Sequence, residues 1–196
     1  MRAVDLGLSV CWADRNVGAA DPKEYGDYFA WGEADTKKNF DWSNYAWMNA
    51  ESKLTKYCTQ EGWGTVVDNI TTLDPDDDAA RKAWGGDWRT PTKAEWKELR
   101  DVCNWTWETE GGVNGFKVTA TSGASIFLPA AEYITGTTVW DSRYLHGNYW
   151  TADLYESQPG SAWNIYFDHN GAEDNSVSRY CGFSVRAVVT VDPPIK

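Results

Sequence analysis

Cysteine is scarce in this chain, and its placement excludes more than its number does. Four are present, Cys11, Cys58, Cys103 and Cys181, with no CxxC pair among them. The two histidines, His146 and His169, stand far apart in the sequence. A zinc site built from clustered thiolate and imidazole ligands therefore has little support. Basic residues are also few, 18 Lys and Arg against 29 Asp and Glu, for a net charge of -11. Such a chain repels a phosphate backbone, so nucleic acid is not an expected partner. No apolar run approaches the roughly 20 residues that cross a bilayer. The start, "MRAVDLGLSV", lacks the apolar core of a signal peptide, so direct membrane insertion is not expected.

What the chain has in abundance is aromatic area. Thirteen Trp, ten Tyr and six Phe make 15% of 196 residues, while apolar residues in all reach 42%. This is a globular composition with its buried surface concentrated in large flat rings. The length suits one well-filled core, and residues 1–190 read as a single domain. The tail 191–196, "VDPPIK", carries two adjacent prolines that cannot continue a central strand. Trp12, Trp31, Trp84, Trp88, Trp105, Trp107 and Trp150 read mostly as core or loop anchors.

Two helices are predicted. "LDPDDDAARKAWGG" sets acidic residues at a helix start and Gly85-Gly86 at its end, so Asp76, Asp77 and Asp78 read as capping groups; EF-hand spacing is absent. In "RTPTKAEWKELRDVC", Thr92 and Glu95 form a capping box, and Trp96, Leu99 and Cys103 recur at helical spacing. Cys103 on that stripe reads as a small buried hydrophobe; a disulfide to Cys58 is the alternative. Elsewhere strands dominate. "NGFKVTATSGASIFLPA" predicts a hairpin over 116–120 and 125–129 around Ser122-Gly123. "GNYWTADLY", "SAWNIYFD" and "GFSVRAVVTV" predict three more, and "DLGLSVCWADRNVG" one near the N-terminus. In "SAWNIYFD" the period of two puts Trp163, Ile165 and Phe167 on one face and Asn164, Tyr166 and Asp168 on the other. "HNGAEDNSVSRYC" reads as an exposed irregular loop. Two helices among short antiparallel sheets and long loops make the fold class α+β.

"VDLGLSVCWADRNVGA", "EYGDYFAWGE", "WGGDWRTPTKAEWKEL", "FLPAAEY", "GNYWTADLY", "AWNIYF" and "RYCGFSVRAV", in that order from Val4 to about Val188, resemble the Fibrobacter succinogenes major paralogous domain found in gut Bacteroidetes. The resemblance implies a C-type-lectin-like fold of the kind seen in formylglycine-generating enzymes. Those enzymes hold copper through two cysteines near the C-terminal end. This chain has Cys181 there and no second cysteine close by in sequence, which leaves half a thiolate site. An oxidase of that kind is therefore the weaker implication.

The same fold group includes the variable proteins of diversity-generating retroelements, whose C-terminal segments resemble residues 143–186, with residues 143–183 displaying the binding surface. The implied function is a non-enzymatic, receptor-like binding domain at a cell surface or on a phage particle. Its expected ligand-binding residues are Tyr144, His146, Asn148, Asp153, Tyr155, Asn164, Tyr166, Asp168, His169, Asn170, Asn175, Ser178, Tyr180, Cys181 and Phe183. Gly182, Val185 and Val188 would pack the scaffold. Cys181 would be a surface thiol, and Arg186 would be buried against a carboxylate, with Glu95 and Glu132 the candidates. A protein ligand is favoured, because Tyr and His bury much area at small entropic cost. Carbohydrate is the second choice; the Pro-containing triplets of calcium-dependent lectins are missing, and "WNI" lacks their aspartate. No cofactor is expected, which leaves room for a structural calcium. A structural or adhesive domain of a larger surface protein is the competing function.

Overall fold

The computed structural model describes residues 1–140 and 144–190. The predicted tail 191–196 and Arg143, the first residue of the predicted binding segment, lie outside them. The fold is α+β: two helices and several small antiparallel sheets joined by long loops.

Helix α1 (Ala79–Trp84) starts where Asp78 accepts hydrogen bonds from the backbone N–H of Ala80 and Arg81, as the capping reading requires. Helix α2 (Lys93–Val102) carries the predicted reciprocal box: the Thr92 side chain accepts from Glu95 N, and Glu95 Oε2 accepts from Thr92 N at 2.8 Å. Glu95 also takes both terminal nitrogens of Arg89, at 2.8 and 2.5 Å. Burial works against its charge, but the Arg89 fork and the Thr92 amide outweigh it and hold the carboxyl below its usual range. A carboxylate depressed in the folded state contributes stability above its unfolded value and loses it as pH falls through the folded one. Glu95→Gln should therefore cost about 1–2 kcal/mol at pH 7 in urea denaturation, with the difference shrinking toward pH 3. A constant difference across that range would show that charge is irrelevant to the pair.

The strands are β1 (Ala3–Val4), β2 (Cys11–Ala13), β3 (Asn104–Glu110), β4 (Val113–Thr119), β5 (Ser125–Pro129), β6 (Tyr133–Thr135), β7 (Thr138–Trp140), β8 (Gly147–Leu154), β9 (Ser161–Asp168), β10 (Gly171–Ser178) and β11 (Val188–Val189). They form sheets β1-β2-β11, β3-β4-β5, β10-β9-β8 and the hairpin β6-β7. Gly111 and Gly112 turn β3 into β4 with φ of 57° and 89°, which only glycine adopts without strain. Of the predicted last strand, Gly182, Phe183 and Ser184 make single bridges to Ile134, Phe29 and Tyr149, and only Val188–Val189 pairs as a strand.

Sheet β10-β9-β8 divides two apolar clusters. On one face Tyr149, Ile165 and Phe167 join Trp12, Trp96, Leu99, Phe116 and Leu128. On the other, Trp150, Leu154 and Ala162 join Trp31, Tyr57 and Phe183. This double burial makes β8 an almost continuous buried strand rather than an alternating one. Gly147 permits the first packing, since a Cβ there would stand 2.0 Å from Cζ of the Phe167 ring. Gly182 likewise lies under Phe40, whose ring a Cβ would meet at 2.7 Å. Trp12, Trp31 and Trp150 are core residues as predicted, while Trp84, Trp88, Trp105 and Trp107 are partly buried against the clusters.

Three expectations are overturned. "GAEDNSVS" is strand β10, paired residue by residue with β9 from Gly171 opposite Asp168 to Ser178 opposite Ser161. Its low strand propensity is overridden because its backbone completes the open edge of β9. Cys181 is not the expected surface thiol: it is buried, and burial raises its thiol pKa to about 12. Arg186 is fully buried but contacts neither Glu95 nor Glu132. Its Nε donates to Asn16 Oδ1 at 2.8 Å, Nη1 to Ala13 O at 3.1 Å and Nη2 to Phe127 O at 2.8 Å. Three polar acceptors already spread around the guanidinium plane, so a carboxylate is not needed to satisfy it. All four cysteines are free, and Cys103 sits in the core as a small hydrophobe.

Candidate functional site

The predicted binding residues separate into those the fold brings together on one face and those it uses elsewhere. Strand register decides which. Asn148 pairs with Tyr166 across β8-β9, and Tyr166 with Glu173 across β9-β10; Asn164 pairs with Asn175. Alternation puts Asn148, Asn164, Tyr166, Asp168, Glu173 and Asn175 on one side of the sheet, opposite Ile165 and Phe167. Asn148 and Asn164 are buried beneath, with Asn164 Nδ2 3.5 Å from Asn148 Oδ1. Tyr166 and Asp168 are half-buried, and Glu173 and Asn175 exposed.

His146 leads into β8 beside this face, its ring 5.6 Å from that of Tyr166. Its Nδ1 lies 3.6 Å from Glu132 Oε2, and Glu132 Oε1 accepts the N–H of Leu145 and of His146 itself. Glu132 thereby fixes the chain entering the sheet. Burial raises the Tyr166 pKa, and the carboxylates of Asp168, Glu132 and Glu173 raise it further. Its hydroxyl stays a neutral donor and acceptor in an acidic setting. Burial opposes ionisation of Asp168, but hydrogen bonds from Asn170 prevail and hold its pKa low. His169 and Asn170 form the exposed β9-β10 turn. That turn separates a depression of about 380 Å³ beside Arg100, Trp105 and Trp107 from one of about 330 Å³ beside Tyr166, Asp168 and Glu173.

A second aromatic group includes Tyr180, expected from the sequence, together with Tyr133 and Trp140, which were not. Tyr133 of β6 stacks on Trp140 of β7, ring centroids 5.9 Å apart and nearly parallel, and meets buried Phe183 edge-on at 5.8 Å. Trp140 is 56% exposed. Tyr180 lies half-buried with its ring edge-on to Trp42 at 5.0 Å. The signal for β6-β7 was present in "YITGTTVW", a short alternating pair around a glycine turn.

The remaining predicted residues serve the scaffold. Phe183 stacks on Trp150 at 4.4 Å in the core, and Cys181 is buried beside it in the same cluster. Asp153 accepts the N–H of Lys93 at 2.6 Å and so anchors the first turn of α2. Tyr155 packs edge-on against Trp163, and the Lys93 ammonium lies over the same indole. Tyr144, at φ 55°, stacks on Tyr25 at 4.8 Å. The Ser178 carbonyl accepts the N–H of Cys181 and closes the turn after β10.

Between Ser178 and Tyr180 lies Arg179, fully buried and unremarked in the sequence. Its Nε donates to Tyr45 Oη at 2.8 Å, Nη1 to the carbonyls of Tyr57 and Pro159, and Nη2 to that of Lys56. The guanidinium also lies 5.1 Å from the Trp31 ring centroid. It ties the end of β10 to the loop before β9 and, through Tyr45, Lys56 and Tyr57, to loops more than a hundred residues away in sequence.

Among the described residues no group of three or more His, Cys, Asp and Glu is placed to hold a metal ion, and no helix is long and apolar enough to cross a membrane. Comparison of the chain with protein-family models, with curated proteins and with solved structures returned no match in any of the three.

Proposed function

We propose that this chain is a non-enzymatic, receptor-like binding domain of the C-type-lectin-like kind, displaying its ligand surface on the exposed end of one face of β8-β9-β10, around Tyr166, Asp168, Glu173 and Asn175. The resemblance to retroelement variable proteins motivates the reading and favours a protein ligand at a cell or phage surface. The observation that carries it is the division of labour within β9. Ile165 and Phe167 lie in the core while Tyr166 and Asp168, one residue removed, lie on the outer side with Glu173 and Asn175. A strand built this way lets exposed side chains change without touching the packing that positions them. Tyr166, His146 and the neighbouring Tyr133 and Trp140 supply the rigid aromatic anchors that a protein interface uses.

The test is a display library randomised at Tyr166, Asp168, His169 and Asn175 and selected against purified lysozyme and ovalbumin. Clones with Kd below about 1 μM are expected, with melting temperatures within about 5 °C of the parent. A library whose members mostly unfold, or one that yields no binder while a library on the outer side of β3-β4 does, would overturn the reading.

A further inference from the structure

A cleft of about 780 Å³ lined by Trp42, Met48, Leu54, Trp63 and Gly160 shares no residue with the proposed surface. Its walls are Trp42, from the short 3-10 turn Trp42–Asn44, and Trp63; Met48 and Leu54 extend the apolar lining and Gly160 forms its floor. A Cβ added at Gly160 would meet Trp63 Cζ3 at 2.9 Å and Trp42 Cζ2 at 3.8 Å, so the two indoles converge above a residue with no side chain. Trp63 is 40% exposed and, with Trp42, Met48 and Leu54, forms a contiguous apolar lining rather than a lone exposed ring.

The walls are braced. Leu54 N donates to Trp63 O at 2.9 Å, Thr65 N to Leu54 O at 2.8 Å and Asn49 N to Lys53 O at 2.9 Å. Trp42 is held edge-on by Tyr45 and Tyr180. The polar groups at the rim are the Ser43 and Ser52 hydroxyls and the Asn49 amide. Asn49 Oδ1 already accepts the N–H of Glu51 and Lys53, which leaves its Nδ2 as the donor for a ligand oxygen.

None of the residues lining the cleft is ionisable, in a chain of net charge -11. A charged ligand would enter without a counter-charge and lose its hydration, so the occupant is neutral. It must also present apolar C–H to an indole face, whose quadrupole is negative, and polar groups at its edge. A pyranose ring has that anatomy, and the volume admits more than one ring. We propose that the Trp42–Trp63 cleft is a calcium-independent binding site for a neutral oligosaccharide.

The site is separate from the outer face of β8-β9-β10 and stands or falls without it. An array of neutral tetrasaccharides, with gluco, manno, galacto and xylo backbones, is titrated in chelator while tryptophan fluorescence is followed. At least one should give a saturable change with Kd of about 0.1–1 mM. Trp63→Ala should weaken that binding at least about 10-fold, as should Gly160→Val, which fills the floor from the other side. Tyr166→Ala, on the other surface, should leave it unchanged, and circular dichroism of each variant verifies folding. Absence of binding across the array, or binding that survives both cleft substitutions, overturns the proposal. Binding of a neutral proline-rich decapeptide at the cleft with no sugar bound also overturns it, in favour of a peptide groove.

Discussion

Arg186→Ala is expected to destabilise the protein by about 3–5 kcal/mol in urea denaturation at pH 7. The guanidinium has no solvent exposure and spans Asn16, Ala13 and Phe127, so it joins the N-terminal strand region to the middle of β5. Truncation removes a donor from three buried acceptors and leaves a cavity where the side chain lay. Asn16 would lose more than one contact's worth of order, because its Nδ2 also reaches Tyr149 Oη at 3.1 Å, and Tyr149 donates onward to Pro129 O at 2.7 Å. Arg186→Lys is the informative companion. It keeps the charge but replaces a planar fork with a single ammonium, and should recover less than half of the loss. A cost under about 1 kcal/mol for the alanine variant would mean that water or rearrangement satisfies those carbonyls.

The second large effect is alkaline unfolding. Tyr45, Tyr57 and Tyr149 are all buried, and burial, with smaller effects of their neighbours, pushes each hydroxyl above its ordinary pKa, that of Tyr149 to about 12. A group raised in the folded state contributes stability that is complete below its unfolded value and lost as pH climbs toward the folded one. Burial also lowers the Arg186 pKa, but a guanidinium keeps its proton over this range and offsets none of the tyrosine contributions. Stability should fall by about 4 kcal/mol per pH unit once pH is well above 10. Melting temperature followed from pH 8 to 11.5 measures this, and phenolate absorbance should rise with unfolding rather than before it. Phenolate absorbance appearing in full while the protein is still folded would show that these hydroxyls are open to solvent.

Local chemistry made the helices readable. A capping box needs only Thr92 and Glu95, and Asp78 caps α1 through groups two and three residues away. The faces of β9 were readable for the same reason, since alternation is a property of adjacent residues. What the sequence concealed depends on partners distant along the chain. β10 has the composition of a loop and becomes a strand because β9 leaves an edge for it. Cys181 and Phe183 have no local mark of burial; they are covered by Trp31, Trp150 and their neighbours, contributed by other segments. Arg186 looked like half of an ion pair because carbonyls, which every residue carries, leave no trace in a sequence. The aromatic cleft was hidden similarly, since Trp42, Trp63 and Gly160 meet only when three loops are folded together.

The alternation along β9 also limits how this protein can change over generations. Substitution at Tyr166 or Asp168 leaves the frame of the strand intact. Insertion or deletion of a single residue within it would rotate every following side chain by half a turn, turning Phe167 out to water and its polar neighbours into the core. The lineage of such a domain should therefore record length as nearly constant through 161–178 while identity drifts at Tyr166, Asp168, Glu173 and Asn175, with gaps confined to the turn at His169 and Asn170.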